Sequence, residues 1–198
     1  RTLYVNVFDS AGANLSGTAS FTQATGAANP FNGIDVGYTG RASFVDLDGD
    51  GDLDAVVGAN DGRLSTFRND GGAFTRLAGA ANPFNGVDLG YYSSPSFVDL
   101  DGDGDLDAVV GNNDGVLAAF RNTGGSFTPL TGAANPFDGI DVGLIAAASF
   151  VDLDGDGDLD AVVGNSDGVL AAFRNAGGIF TPLTGAANPF NGIDVGLA

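Results

Sequence analysis

The sequence predicts an all-β protein of tandem four-stranded antiparallel sheets at a period of 53 residues, with three complete sheets and half of another. Three observations predict it. SFVDLDGDGDLDAVVG recurs unchanged from Ser43, Ser96 and Ser149, and GAANPF recurs from Gly26, Gly79, Gly132 and Gly185. A period of this length marks supersecondary units that stack because none can bury its own faces alone. The composition lacks the strongest charged helix formers: all 25 acidic residues are Asp, all 7 basic residues are Arg, and Glu and Lys are absent. Within each repeat, short apolar runs alternate with Asn, Asp and Gly clusters that supply the positive φ angles of tight hairpins.

Taken in order, residues 1–25 read as a half unit, because TLYVNVF at 2–8 and GTASFT at 17–22 occupy the places of a third and a fourth strand. Residues 26–78, 79–131 and 132–184 are the complete units, and 185–198 is a linker toward a missing one. In the second unit, strand A is 96–100, strand B is 106–111, strand C is 116–121 and strand D is 126–130. Turns at 112–115 and 122–125 join B to C and C to D. Pro129 and Pro182 lie in strand D, where a missing N–H is tolerated only at a sheet edge. Strand D is therefore the outer edge, and repeated four-stranded sheets with exposed outer edges are blades of a β-propeller. The blades are close copies: from 96 to 142 the second departs from the third only at Asn113/Ser166, Thr123/Ala176, Ser126/Ile179 and Asp138/Asn191.

Between strands A and B each blade carries DLDGDGDLD, with carboxylates at every second residue. These are Asp46, Asp48, Asp50, Asp52 and Asp54, then Asp99, Asp101, Asp103, Asp105 and Asp107, then Asp152, Asp154, Asp156, Asp158 and Asp160. Like charges at that density repel, no cationic side chain lies inside the loop, and a hard cation among the oxygens resolves the conflict. D-x-D-x-D-G reproduces the first half of a calcium loop, including its Gly at the sixth position. The twelfth position, a bidentate Glu between two helices, is Val57 here, so the site closes at Asp54 and leads into a strand. The expected cofactor is calcium, one ion per complete blade.

The loops hold 15 of the 25 Asp residues, so the formal charge of −18 is mostly theirs. No basic patch exists to neutralise phosphates, which argues against a nucleic-acid partner. No apolar run has the length of a membrane span, so no membrane insertion is expected. The absence of Cys rules out a disulfide framework and leaves an extracellular location open. A metal-free solvated acidic turn is the plain alternative for the loops, and five carboxylates in one loop weigh against it. The glycines form no phosphate cradle, because no Lys or Ser/Thr follows in P-loop order. Paired carboxylates could hydrolyse glycosides, but three identical copies favour structure over a single active site, and His, Cys and Lys are missing. No enzyme is expected. Phe44, Phe97 and Phe150 and Phe67, Phe120 and Phe173 read as core. Asp35, Asp88, Asp141 and Asp194 read as turn residues that bind backbone, and Asn14 begins the only N-glycosylation sequon, a weak signal.

The run from Phe44 to Asp54 followed by Val56-Val57-Gly58, with its equivalents 53 and 106 residues on, resembles the FG-GAP (VCBS) repeats of bacterial surface proteins, related to the integrin α propeller repeats. The resemblance extends from Thr25 onward. It implies a calcium site between the first two strands of each blade, with side-chain oxygens from the first, third, fifth and ninth loop residues and the carbonyl of the seventh. Those are Asp46, Asp48, Asp50, Asp54 and the Asp52 carbonyl; Asp99, Asp101, Asp103, Asp107 and the Asp105 carbonyl; and Asp152, Asp154, Asp156, Asp160 and the Asp158 carbonyl. Such propellers usually have about seven blades, more than this sequence contains.

Two classes of function follow. The first is a calcium-stabilised structural repeat, secreted or at the cell surface, whose ends pair head to tail with further copies in a ring or filament, or with the remainder of a longer chain. The second is a binding or adhesion module for a protein or glycan ligand. Near-identical repeats favour the first, since binding sites usually differ between copies, and only Tyr38, Tyr91, Tyr92 and Arg41 stand out.

Overall fold

A computed structural model describes residues 22–196. Most of the expected half blade (1–21) and the Asn14 sequon lie outside the described residues. The chain divides into two compact units, residues 1–34 and 35–198. In the first, Gly26–Ala28 forms a 3-10 turn, after which the Asn29 side chain accepts the Phe31 N–H at 3.0 Å.

The second unit contains three antiparallel four-stranded sheets. Blade 1 is β1 (Arg41–Val45), β2 (Asp54–Gly58), β3 (Leu64–Asp70) and β4 (Ala73–Leu77). Blade 2 is β5 (Ser94–Val98), β6 (Asp107–Gly111), β7 (Leu117–Thr123) and β8 (Ser126–Leu130). Blade 3 is β9 (Ala147–Val151), β10 (Asp160–Gly164), β11 (Leu170–Ala176) and β12 (Ile179–Leu183). In each sheet the strands lie in chain order, so the last is an edge, as the prolines of β8 and β12 require; Pro129 pairs with Phe120 and Pro182 with Phe173. The same GAA sequence that forms a 3-10 turn before blade 1 does so again at Gly79–Ala81, Gly132–Ala134 and Gly185–Ala187.

In blade 2 the strand bounds depart from the sequence reading, with strand A at 94–98 against 96–100, strand B at 107–111 against 106–111 and strand C at 117–123 against 116–121. Strand A of blade 2 ends at Val98 and not at 100, because the Leu100 N–H bonds to the Asp107 carboxylate at 3.0 Å and leaves the ladder. Strand C runs on to Thr123, which pairs with Ser126. Gly124 and Gly125 alone then make the turn, with φ of 57° and 85°, the left-handed pair that a two-residue hairpin requires.

The core lies between blades. Val45, Val56 and Leu64 of blade 1 pack with Phe84, Ala108, Val110 and Phe120. Val98, Val109 and Leu117 of blade 2 pack in the same way with Phe137, Ala161, Val163 and Phe173. Phe84 and Phe137 come from the linkers, and each wedges against the strand-D phenylalanine of the following blade, with ring centroids 4.6 Å apart for Phe84–Phe127 and for Phe137–Phe180. Of the phenylalanines read as core, Phe67, Phe120 and Phe173 are buried, whereas Phe97 and Phe150 are half-buried and Phe44 is 48% exposed, edge-on to Phe74.

Blades approach so closely at strand B that only glycine fits. A Cβ on Gly58 would sit 2.2 Å from the Ser93 carbonyl oxygen, and one on Gly111 would sit 2.2 Å from that of Ala146. The equivalent Gly164 in blade 3 meets nothing nearer than Leu170 Cδ2 at 3.5 Å. Val151 of that blade is 44% exposed, against 1% for Val98 beneath blade 3. Among the described residues, none covers this face of blade 3.

Candidate metal centre

Each acidic loop is shaped by its own carboxylates. Asp46 accepts the N–H groups of Gly49 at 2.8 Å and Gly51 at 3.0 Å, which curls the loop around its first residue. That curl needs positive φ at both glycines, 78° and 93°. Asp99 does the same for Gly102 and Gly104, and Asp152 for Gly155 and Gly157. Asp50 Oδ1 accepts the Asp52 N–H at 2.9 Å, with the same bond at Asp103 and Asp156.

The seventh and ninth residues anchor the loop to the blade. Asp52 accepts the N–H of Gly71 in the C–D hairpin at 2.8 Å, as Asp105 does from Gly124 and Asp158 from Gly177. Asp54, Asp107 and Asp160 are buried, and each carboxylate accepts two backbone N–H groups. For Asp107 these are Leu100 at 3.0 Å and Asn122 at 2.7 Å; Asp54 takes Leu47 and Asn69, and Asp160 takes Leu153 and Asn175. Burial lifts the Asp54 and Asp107 carboxyls above their usual range, outweighing the two N–H donors, and the third and fifth loop carboxylates nearby push the same way.

Carboxylate oxygens gather within 4.8 Å of one another at Asp46, Asp48 and Asp50, at Asp99, Asp101 and Asp107, and at Asp152, Asp154 and Asp160. Oxygens on one calcium ion, at about 2.3–2.6 Å from it, lie no more than about 5 Å apart. The donor set is entirely hard oxygen, as calcium prefers, so the residues fit that ion. The gathered sets are not the same in every blade: Asp54 stands outside the first, and Asp103 and Asp156 stand outside the second and third. Asp52, Asp105 and Asp158 direct their carboxylates to the hairpin glycines, leaving their carbonyls for the role the resemblance implies.

Two contributors escaped the sequence reading. Asn69, Asn122 and Asn175 each donate from the side chain to the carbonyl of the eighth loop residue, for example Asn122 to Leu106 at 3.0 Å. Asn122 also accepts the Gly125 N–H at 2.9 Å, so one side chain joins loop to hairpin. Arg121 and Arg174 pair with Asp101 and Asp154, each at 2.9 Å. The signal was the identical spacing of Arg68, Arg121 and Arg174 across the repeats. Away from the loops, Asp35, Asp88, Asp141 and Asp194 each accept the N–H two residues on, as turn residues do.

A family model described as FG-GAP-like repeat matches residues 46–110 and 99–163. No curated protein sequence matches the chain. Among solved structures, one reported for specific recognition of non-reducing terminal N-acetylglucosamine by an Agrocybe aegerita lectin is similar to 71% of this chain, at 23% identity and a TM-score of 0.43. The match spans 37% of that lectin chain. No helix among the described residues is long and apolar enough to cross a membrane.

Proposed function

Because the chain belongs to the FG-GAP-like repeat family, we propose that it is a calcium-stabilised structural repeat protein of the cell exterior, whose blades assemble with further copies into a surface layer or fibre. Three identical loops that each gather carboxylate oxygens within 4.8 Å carry this reading. Calcium bound there would neutralise the carboxylates and add a cross-link between strands A and B. The chain's own residues do the rest: the ninth Asp ties the loop to strand C, the seventh ties it to the C–D hairpin, and Asn122 and its equivalents brace both. The role is non-catalytic, and extracellular calcium levels suit modules that bind with dissociation constants of about 10⁻⁴–10⁻³ M.

Assembly would use the open face of blade 3. Blade 2 presents the same face and buries it under a neighbouring blade, with Gly111 against the Ala146 backbone. Val151 and Gly164 await an equivalent contact, and the proposed occupant is a blade-like sheet from a second copy. Gly164→Ala tests this. The methyl has room in a single chain but would strike the backbone of a docked sheet, as at Gly111. Light scattering in calcium should find oligomers for the parent and loss of them for the variant, with melting unchanged or slightly raised at low concentration. Discrete monomers of the parent at every concentration would count against assembly.

One observation favours the binding-module reading as a second function. A cleft of about 930 Å³ on blade 1 is lined by Asp61, Arg63, Ser65, Arg76, Asn85 and Asp88, among others. Arg63, Ser65 and Arg76 stand where blade 2 has Val116, Ala118 and Pro129, so this polar cleft breaks the repeat. Arg76 donates to the Ser65 hydroxyl at 3.0 Å. Mixed donors and acceptors of this kind suit the hydroxyls of a glycan. A glycan array with the parent and with Arg63→Ala/Arg76→Ala would test it: signal lost in the double variant supports a lectin-like role, and no parent signal removes it.

A further inference from the structure

The acidic loops are identical in sequence, but their surroundings differ at one residue. Arg68, Arg121 and Arg174 hold the same place in strand C of the three blades. In blades 2 and 3 the guanidinium Nε lies 2.9 Å from the third loop carboxylate, Asp101 or Asp154. In blade 1, Arg68 turns to Asp70 instead, donating from Nε at 3.1 Å and from Nη2 at 2.9 Å. Thr123 and Ala176 replace Asp70 in the other blades, so no second carboxylate there competes for the arginine.

The loop carboxylates regroup in step. Asp48, which has no arginine in ion-pair contact among the described residues, gathers with Asp46 and Asp50, whereas Asp101 and Asp154 gather with the buried Asp107 and Asp160. Asp70 also adds a carboxylate beside loop 1 that Thr123 and Ala176 do not supply beside loops 2 and 3.

We infer that the three loops form two classes of calcium site, a tighter one in blade 1 and two weaker ones in blades 2 and 3, with Asp70 as the residue that sets the difference. In the weaker pair the ion shares a carboxylate with a guanidinium that already holds it. Repulsion between a monovalent and a divalent cation on one carboxylate is on the order of tenfold in affinity, even at a water-like dielectric. In blade 1, Asp70 draws that positive charge aside and adds a negative one. The inference deepens the calcium reading above and rests on it.

Calorimetric titration of the chelated, full chain with calcium tests it, with the backbone amides of Gly51, Gly104 and Gly157 followed by NMR to identify each loop. The parent should show one site about tenfold tighter than the other two, and Gly51 should shift first. Asp70→Thr should merge all three into the weaker class. Arg121→Ala combined with Arg174→Ala should move loops 2 and 3 to the tighter class. These side chains are about half exposed, so the variants should fold, which a melting curve checks. A single class in the parent that Asp70→Thr leaves unchanged, or saturation of Gly104 and Gly157 before Gly51, would overturn the inference while leaving calcium binding intact. No heat and no amide shift in any protein would overturn the calcium reading itself and this inference with it.

Discussion

Replacing Gly111 with alanine should destabilise the protein by inserting one methyl where two blades touch. The new Cβ would lie 2.2 Å from the Ala146 carbonyl oxygen and 2.7 Å from its carbon. Both atoms are backbone, held by the Ala146 N–H bond to the Asn112 carbonyl at 2.9 Å, so no side chain can swing aside. Blade 3 must shift bodily or strand B must bend. Overpacking of this kind costs about 1–3 kcal/mol, and a rigid backbone neighbour places Gly111 near the upper end. For a chain of this size about 3 kcal/mol lowers Tm by roughly 6–12 °C. Gly164→Ala is the internal control: the same change at the same strand position has its nearest neighbour at 3.5 Å. It should be neutral or slightly stabilising, by up to about 1 kcal/mol, through reduced freedom of the unfolded chain. Thermal melts of dilute protein monitored by circular dichroism would measure both. Equal small effects at the two positions would refute close blade-to-blade packing as the reason for glycine at the end of strand B.

Other outcomes follow from the same geometry. Asp101→Ala, which takes away one of the gathered carboxylates of loop 2, should remove one calcium from the stoichiometry, whereas Asp114→Ala, in the B–C turn, should leave it unchanged; metal analysis after dialysis distinguishes them. Ser93 is fully buried and its hydroxyl has no partner among the described residues, while Ala146 fills the equivalent place, so Ser93→Ala should raise stability by about 1 kcal/mol in a denaturant titration. The raised Asp54 and Asp107 carboxyls bind protons more tightly folded than unfolded. Their contribution to metal-free stability is therefore full below the ordinary value of 3.8 and is lost as pH rises through the raised values. In chelator, Tm should fall from pH 4 toward neutrality, and the protection given by added calcium should grow over that interval.

The repeat and the acidic loops were legible because both are written locally. A 53-residue period and alternate carboxylates need no knowledge of tertiary contacts. Strand ends were less legible, since Leu100 looks as strand-like as Val98 until the Asp107 carboxylate claims its N–H. The partner of Arg68 could not be read at all. Its two candidate carboxylates, Asp48 and Asp70, are equally plausible from sequence, and only the geometry across strand C selects Asp70. Phe44 looked like core with Phe97 and Phe150, but those two pack against the clusters between blades whereas the Phe44 ring is 48% exposed. The blade 1 cleft was overlooked because Arg63 and Arg76 stand 13 residues apart, and only the B–C turn and strand D bring them to one rim.

The central claim is that calcium bound in the three acidic loops stabilises the blades, and a melting curve with and without chelator tests it most directly. At tenfold excess over its dissociation constant each site contributes about 1.4 kcal/mol, so three contribute about 4 kcal/mol. Removal of calcium should then lower Tm by roughly 8–16 °C, with recovery when the ion is restored. A Tm that stays the same in chelator and in millimolar calcium would contradict the account.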